Sequence, residues 1–259
     1  MSFFDADLFE QLRVARKVTW GRPVRAFEQC ASTNDLALAA VATDAKTGIV
    51  YLAREQTQGR GRRGNVWLAP QGQCLTCSVL LRYPPGETRV SGLSLAAGLA
   101  AFDVVAARVS NPGRVSFKWP NDVYVGDKKL GGVLIESKPD RGGHLGVVIG
   151  IGLNWLVVEF PPELRHATSL ALEGAPAESL ESLLVDLLGQ LQLRVAQLLK
   201  NGVASLASEA AKHDYLLGRA INVDKQPGVG AGIDPHGRLI LRDEHGALTT
   251  VSTGHVELI

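Results

Sequence analysis

The chain is short of several things, and each shortage narrows what it can be. Its 259 residues hold three cysteines, Cys30, Cys74 and Cys77, too few for a disulfide framework and consistent with a reducing compartment. Cys74 and Cys77 lie three apart in an apolar, strand-like run, which puts their thiols on opposite faces. With no second cysteine pair and no histidine nearby, a redox or zinc motif is not expected there. No uninterrupted apolar run approaches the roughly 18 residues of a membrane span, so no membrane association is expected. The first residues carry Asp5, Asp7 and Glu10 and lack the basic start and apolar core of a secretory signal, which predicts a cytoplasmic protein. Net charge is nearly absent too, at a formal +1, and this argues against wholesale attraction to nucleic acid. There are no internal repeats or low-complexity segments.

Against this neutral background one stretch is strongly basic. Between Glu55 and Trp67 stand Gly59, Arg60, Gly61, Arg62, Arg63 and Gly64, with no acidic residue to neutralise the arginines. Glycines let the backbone approach a ligand closely, and guanidinium forks match carboxylate and phosphate. By itself such a stretch reads as a solvated basic turn or an RNA-binding Arg-Gly patch; with the segments further along the chain it predicts an anion-binding loop that is mobile when empty, because three like charges repel one another until an anion arrives.

Hydrophobic periodicity places the loop between strands over 48–54 and 75–82. Before it come an amphipathic helix over 5–17, a strand over 24–29 and a short helix over 36–41. That helix is led by Ser32, Thr33 and Asn34, with Asp35 completing an N-cap signature. Ser32 is explained as a cap, and the same residues can also present donors and acceptors to a polar ligand. The region ahead of the first strand leaves no room for a helix-turn-helix domain, so DNA binding is not expected. After the loop, residues 91–109 read as a helix buried nearly all round.

Two further segments carry chemistry. In the strand from Val115, alternation puts Val115, Phe117 and Trp119 on one face and Lys118 on the other, close to an apolar setting. A lysine there requires an anion or an acidic partner such as Asp122, since burying an unpaired ammonium is costly. A hairpin follows, with Gly131 and Gly132 in its return strand. The strand 147–154 has Val147, Ile149, Ile151 and Leu153 on one face and Gly150, Gly152 and Asn154 on the other beyond Val148. Its bare face suits the floor of a ligand cleft or the close crossing of a helix. Helices over 176–199 and 203–215 precede short strands at 221–224, 239–242 and 248–251. This predicts a catalytic domain over 1–216 and a small all-β domain over 217–259.

Taken together, the loop 59–64 with Trp67, the run from Lys118 to Asp122, the run from Lys129 to Glu136 and the run from Gly150 to Asn154 resemble the biotin protein ligases, in register from Val24 to Trp155. The resemblance implies an α/β (α+β) fold: a mixed sheet with packed helices, as in class II synthetase-like ligases, followed by an SH3-like barrel. It points to the monofunctional class, without an N-terminal DNA-binding domain. Asn65 departs from it, standing where many members have a basic residue.

The implied activity forms biotinyl-5′-AMP from biotin and ATP with Mg²⁺, and transfers biotin to a lysine of a biotin carboxyl carrier protein. The implied catalytic residues are Lys118, Arg60 and Arg62. Ser32, Thr33, Asn34, Gln56, Gly59, Arg60, Gly61, Arg62, Lys118 and Gly132 would hold biotin. Arg60, Arg63, Trp67, Lys118, Asn121 and Asn154 would hold ATP, and Asp122 is the candidate metal ligand. The family contains both monomers and homodimers, so oligomeric state stays open. Lipoate protein ligase, which shares the fold and adenylating logic, and a non-enzymatic nucleic-acid-binding module are the alternatives.

Overall fold

The structure is a computed structural model that describes residues 2–43, 45–87 and 89–259. In chain order the elements begin with α1 (Ala6–Ala15), β1 (Val24–Phe27), α2 (Thr33–Ala40), β2 (Ile49–Ala53), β3 (Cys74–Tyr83) and α3 (Leu93–Ala106). Next come β4 (Val115–Lys118), β5 (Asp122–Val125), β6 (Lys128–Pro139), β7 (Leu145–Asn154), α4 (Leu180–Asn201) and α5 (Val203–Ala211). The last five are β8 (Ala220–Val223), β9 (Gln226–Ile233), β10 (Leu239–Arg242), β11 (Leu248–Val251) and β12 (Val256–Leu258).

The first seven strands form one mixed sheet in the order β1-β2-β3-β7-β6-β5-β4, parallel only between β1 and β2. Its two faces are chemically different. On one, Leu75, Cys77, Val79 and Leu81 of β3 and Val147, Ile149, Ile151 and Leu153 of β7 enter a large core with α3 and α4. Helix α3 reads as apolar on every side because it is covered on every side, by the sheet, α4 and α5. Helix α4 begins at Ser179, whose hydroxyl accepts the Ser182 N–H, and buries a leucine stripe through Leu183, Leu187 and Leu191. Part of the other face is covered by α2, where Ala37, Ala40 and the following Val41 pack on Tyr51, Leu80 and Val148. The rest of that face is open to become a site.

Strand register decides what stands on it. Thr76 pairs with Gly152, Gly152 with Gly132, Gly132 with Asp122, and Asp122 with Lys118. One hydrogen-bonded row therefore crosses five strands, with two glycines in the middle and a lysine at the end. The outer edge of β4 is closed by the segment after α5, where Phe117 N donates to His213 O at 2.8 Å and Tyr215 N to Phe117 O at 3.0 Å.

The last five strands form an antiparallel sheet in the order β11-β10-β9-β8-β12, where the sequence predicts a small all-β unit. Two of them, β9 and β12, escape the periodicity. Strand β9 contains Pro227, Gly228, Gly230 and Gly232. A side chain at Gly228 would meet the Arg242 carbonyl at 2.7 Å, so close backbone packing replaces the usual alternation. Trp119 Nε1 donates to Gly237 O at 2.9 Å, and Ile221, Val223, Leu239 and Leu241 continue the main core, joining the two sheets without a break. No helix among the described residues is long and apolar enough to cross a membrane.

Gly98 lets α3 lie on Phe117, since an added Cβ would sit 2.5 Å from the ring. Valine at an ordinary helix interior is favoured over glycine, but here overpacking should dominate and cost about 1–3 kcal/mol. Thermal unfolding of Gly98→Val is expected to show a lowered Tm; an unchanged or raised Tm would remove this account of the helix–strand contact.

Candidate active site

The open face is roofed by the glycine–arginine loop. The loop is a small hairpin: Trp67 N donates to Gly59 O at 3.0 Å, Gly61 N to Asn65 O at 2.7 Å and Asn65 N to Arg62 O at 3.1 Å. Gly59 is required for closure, because a side chain there would strike the Trp67 carbonyl. The tip turns through Arg63 at φ 57° and Gly64 at φ 81°, the left-handed region that costs any residue but glycine some strain. Asn65 thus serves the loop through its backbone.

Between loop and sheet is a cleft lined by Ser32, Thr33, Asn34, Gln56, Arg60, Gly61, Arg62 and Arg63, and by Trp67, Lys118, Asn121, Asp122 and Gly132. The structure therefore gathers nearly every residue expected there. Gly59 and Asn154 are not among the lining residues. Asn154 is buried, donates from Nδ2 to Thr168 O at 2.9 Å and accepts from the Cys74 thiol, so its amide is spent on the far end of β7. Burial pushes that thiol up to about 12, which leaves it a hydrogen-bonding group and not a nucleophile.

The face striped by Gly150 and Gly152 is bare of its own side chains but not empty. The indole of Trp67 lies directly over Gly152, and the amide of Asn34 over Gly150. The glycines make room for these two side chains, which then form the cleft wall.

Ser32 is the N-cap of α2, yet its hydroxyl makes no cap hydrogen bond. The Thr33 N–H is instead taken by Gln56 Oε1 at 2.8 Å, which also accepts the Thr33 hydroxyl at 3.1 Å. Asn34 donates from Nδ2 to Glu136 Oε2 at 2.7 Å, and its Oδ1 lies 2.6 Å from the Ser78 hydroxyl, itself 2.7 Å from Thr33 Oγ1. A continuous polar chain thus runs from Gln56 through Thr33, Ser78 and Asn34 to Glu136. Ser78 and Glu136 were not anticipated. Their signal is polarity on the site-facing positions of otherwise apolar strands, and Glu136 also closes the run that begins at Lys129.

The three arginines have different fates. Arg60 is clamped between Asp35 at 2.6 Å and Glu136 at 2.9 Å, and Arg63 pairs with Asp224 of the C-terminal sheet. Absence of acids within the loop is therefore made good by acids from α2, β6 and the turn after β8, and mutual repulsion does not govern the loop. Asp35, expected to complete a helix cap, is one of these acids. Arg62 alone of the three has amide and hydroxyl partners only, Asn121 Oδ1 and Thr253 Oγ1, both at 3.2 Å. Burial lowers its pKa, with Asp122 opposing. Asn121 is itself anchored through Nδ2 to Val133 O at 2.6 Å.

Lys118 faces the cleft opposite the buried Phe117 and Trp119, as alternation requires. Asp122 is not its partner, because Asp122 Oδ2 pairs with Lys129 Nζ at 2.7 Å. Lys118 Nζ donates to Tyr124 Oη at 3.4 Å, and among the described residues no carboxylate lies within ion-pair distance. Burial draws its pKa below the ordinary lysine range, with Asp122 and Glu257 opposing and Lys129 assisting. Arg62 and Lys118 are thus two part-buried cations in one cleft without a carboxylate of their own. Asp122 Oδ1 is buried without a partner, and no group of three or more potential metal-ligating side chains occurs among the described residues.

Because Trp67 occupies the space over Gly152, Gly152→Val should unseat the indole and open the loop while leaving the β7 core face intact. Intrinsic tryptophan emission should shift to the red and trypsin should cut after Arg62 or Arg63 faster than in the parent, with little change in Tm. Unaltered emission and cleavage would show that Trp67 is not held there.

Residues 26–154 match the Biotin/lipoate A/B protein ligase family. A biotin–acetyl-CoA-carboxylase ligase of Mycobacterium tuberculosis is 36% identical over 237 residues, covering 88% of this chain and 86% of that protein. One of Paracoccus denitrificans is 34% identical over 206 residues, covering 75% of this chain and 84% of that protein. Among solved structures, a biotin protein ligase from Aquifex aeolicus in complex with biotin and ATP superposes with a TM-score of 0.78 at 24% identity, over 92% of this chain and 99% of that one. That likeness bears on the fold, and the mixed sheet with its packed helices and C-terminal antiparallel sheet is shared. On identity and coverage together, the chain belongs to the biotin protein ligase family.

Proposed function

We propose that this chain activates biotin with ATP as biotinyl-5′-AMP and passes the biotinyl group to a lysine of a biotin carboxyl carrier protein. The observation that carries the reading is the pair of part-buried cations, Arg62 and Lys118, that share a cleft and lack carboxylate partners. An ammonium or guanidinium is costly to desolvate unless an anion compensates it, so the cleft is built for negative charge brought from outside. The loop glycines and the family relationship make that charge the carboxylate of biotin and the phosphates of ATP.

In the first step the biotin carboxylate attacks the α-phosphorus of ATP and pyrophosphate leaves. In the second, the carrier lysine's amine attacks the acyl carbon of the mixed anhydride, AMP leaves and the amine loses a proton. Neither step needs a nucleophile from this chain. What it supplies is position and charge, which dominate catalysis of phosphoryl chemistry. Lys118, at the end of the row that crosses the sheet, is assigned to the carboxylate and α-phosphate, where charge develops. Arg62 is the second cation, held by Asn121 from the turn between β4 and β5 and by Thr253 from the C-terminal unit.

Arg60 has its charge already matched by Asp35 and Glu136, so it is assigned to holding the loop over the cleft. Thr33, Gln56 and Asn34 are assigned to the biotin end, with Ser32, Gly61 and Gly132 beside them, and Trp67, Asn121 and Arg63 to the nucleotide end. Mg²⁺ bound with ATP supplies further neutralisation of the phosphates. It is usually held by one or two carboxylates together with the phosphates, and the unpartnered Asp122 Oδ1 suits that role. Residues 217–259 are read as a small all-β domain that shares the main core and closes one side of the cleft through Gly254, His255 and Val256.

Mixing the protein with ATP, Mg²⁺ and either biotin or lipoate, with detection of the acyl-adenylate by mass spectrometry, is expected to yield product with biotin; product with lipoate alone would overturn the reading. Lys118→Gln should slow adenylate formation by about 10²–10³-fold, as for loss of one donor to a developing anion, with biotin affinity much less affected. Pyrophosphate release at the parent rate from folded Lys118→Gln would remove Lys118 from this role.

A further inference from the structure

The site-facing residues of β4 and β5 place an aromatic ladder behind Lys118. Its ammonium lies 5.1 Å from the centroid of the Tyr124 ring and donates to Tyr124 Oη at 3.4 Å. The Tyr124 ring stacks at 4.6 Å, tilted by 33°, on Tyr215. Beyond it the guanidinium of Arg219 lies 4.1 Å from the Tyr215 centroid. The outer end is tied down: Tyr215 Oη donates to Asp127 Oδ1 at 3.1 Å, and Arg219 Nη1 to the same oxygen at 2.8 Å. The ladder thus begins at residues fixed on the hairpin and on the segment after α5, and ends at the lysine.

Lysine has four rotatable carbons, and a floating ammonium would spread its charge over many positions. The nearest acid on its own sheet face, Asp122, is occupied by Lys129, so Asp122 does not restrain it. Tyr124 does so through the phenol oxygen that accepts from it, with the ring centroid 5.1 Å from the charge. Tyr124 lines the cleft beside Lys118.

We propose that Tyr124 is the positioning residue for Lys118 in adenylate formation, holding the ammonium in the cleft where charge develops on the reacting acyl and phosphate groups. Tyr215 and Arg219 keep the Tyr124 ring from turning away. The inference rests on the reading of Lys118 as the adenylating lysine.

The test is a double-mutant cycle on the full chain, comparing the parent with Tyr124→Phe, Lys118→Gln and the double variant. Single-turnover pyrophosphate release, calorimetric biotin affinity and Tm are measured for each. Phenylalanine keeps the ring and its stacking on Tyr215 but removes the oxygen. Tyr124→Phe is expected to slow adenylate formation about tenfold, the size of one lost hydrogen bond to a charged group, with biotin affinity within about twofold and Tm unchanged. In the Lys118→Gln background the same change should slow the reaction no further, because the group it positions has gone.

A parent rate in Lys118→Gln would overturn the reading of Lys118 and this inference with it. A slow Lys118→Gln accompanied by a parent-like Tyr124→Phe, or by losses that multiply in the double variant, would overturn the role of Tyr124 alone. Tyr124→Phe losing biotin affinity and rate in equal measure would assign it to general architecture, which also overturns the proposal.

Discussion

The structure depends on one hydrogen-bonded row. Thr76, Gly152, Gly132, Asp122 and Lys118 face one another in turn across β3, β7, β6, β5 and β4. A one-residue slip between any two of these strands would carry the glycines to the core side and bring valine or isoleucine into the cleft. The register is held because the opposite side of the same strands is a packed apolar surface, with Val147, Ile149, Ile151 and Leu153 under α3. Burial on one face thus specifies the position of every polar group on the other. The large core has no direct part in chemistry, yet it sets the alignment on which the site rests.

Above the row, electrostatics selects which charges are left for a ligand. Of the cations around the cleft, Arg60, Arg63 and Lys129 are satisfied by Asp35 and Glu136, Asp224, and Asp122 respectively. Arg62 and Lys118 are held by neutral groups, and burial depresses the pKa of both. Neutral partners orient a cation without quenching it, which is the condition for acting on charge that develops in a transition state. The paired arginines do different work, fastening the loop to α2 and β6 on one side and to the C-terminal sheet on the other.

The polar chain from Gln56 to Glu136 joins these two tasks. Gln56 lies at the entry of the loop and Glu136 holds Arg60 within it, while Thr33, Ser78 and Asn34 between them line or underlie the cleft. A ligand that displaced any one of these bonds would act on the seating of the loop as well as on its own pocket. Such linkage is a physical means by which occupancy of one end of the cleft and closure of the loop over the other can be tied together.

Periodicity alone placed most of the elements: the buried α3, the leucine stripe of α4, the alternation that turns Lys118 away from Phe117 and Trp119, and the bare side of β7. It did so because these are properties of a few neighbouring residues and the geometry of one helix or strand. Composition likewise singled out the loop that roofs the cleft. Tertiary structure decided the partners. Nothing near Arg60 in the chain indicates Glu136, 76 residues away, or near Arg63 indicates Asp224, 161 residues away. Asn154 looked available at the end of a bare strand, and only the fold of residues 168–170 over that end shows its amide to be taken. Asp35 read as a cap residue until a loop was folded back onto it. Which face a side chain occupies is set locally by backbone geometry, whereas which charge it meets depends on strand register and loop path, and these are fixed only when the whole core is packed.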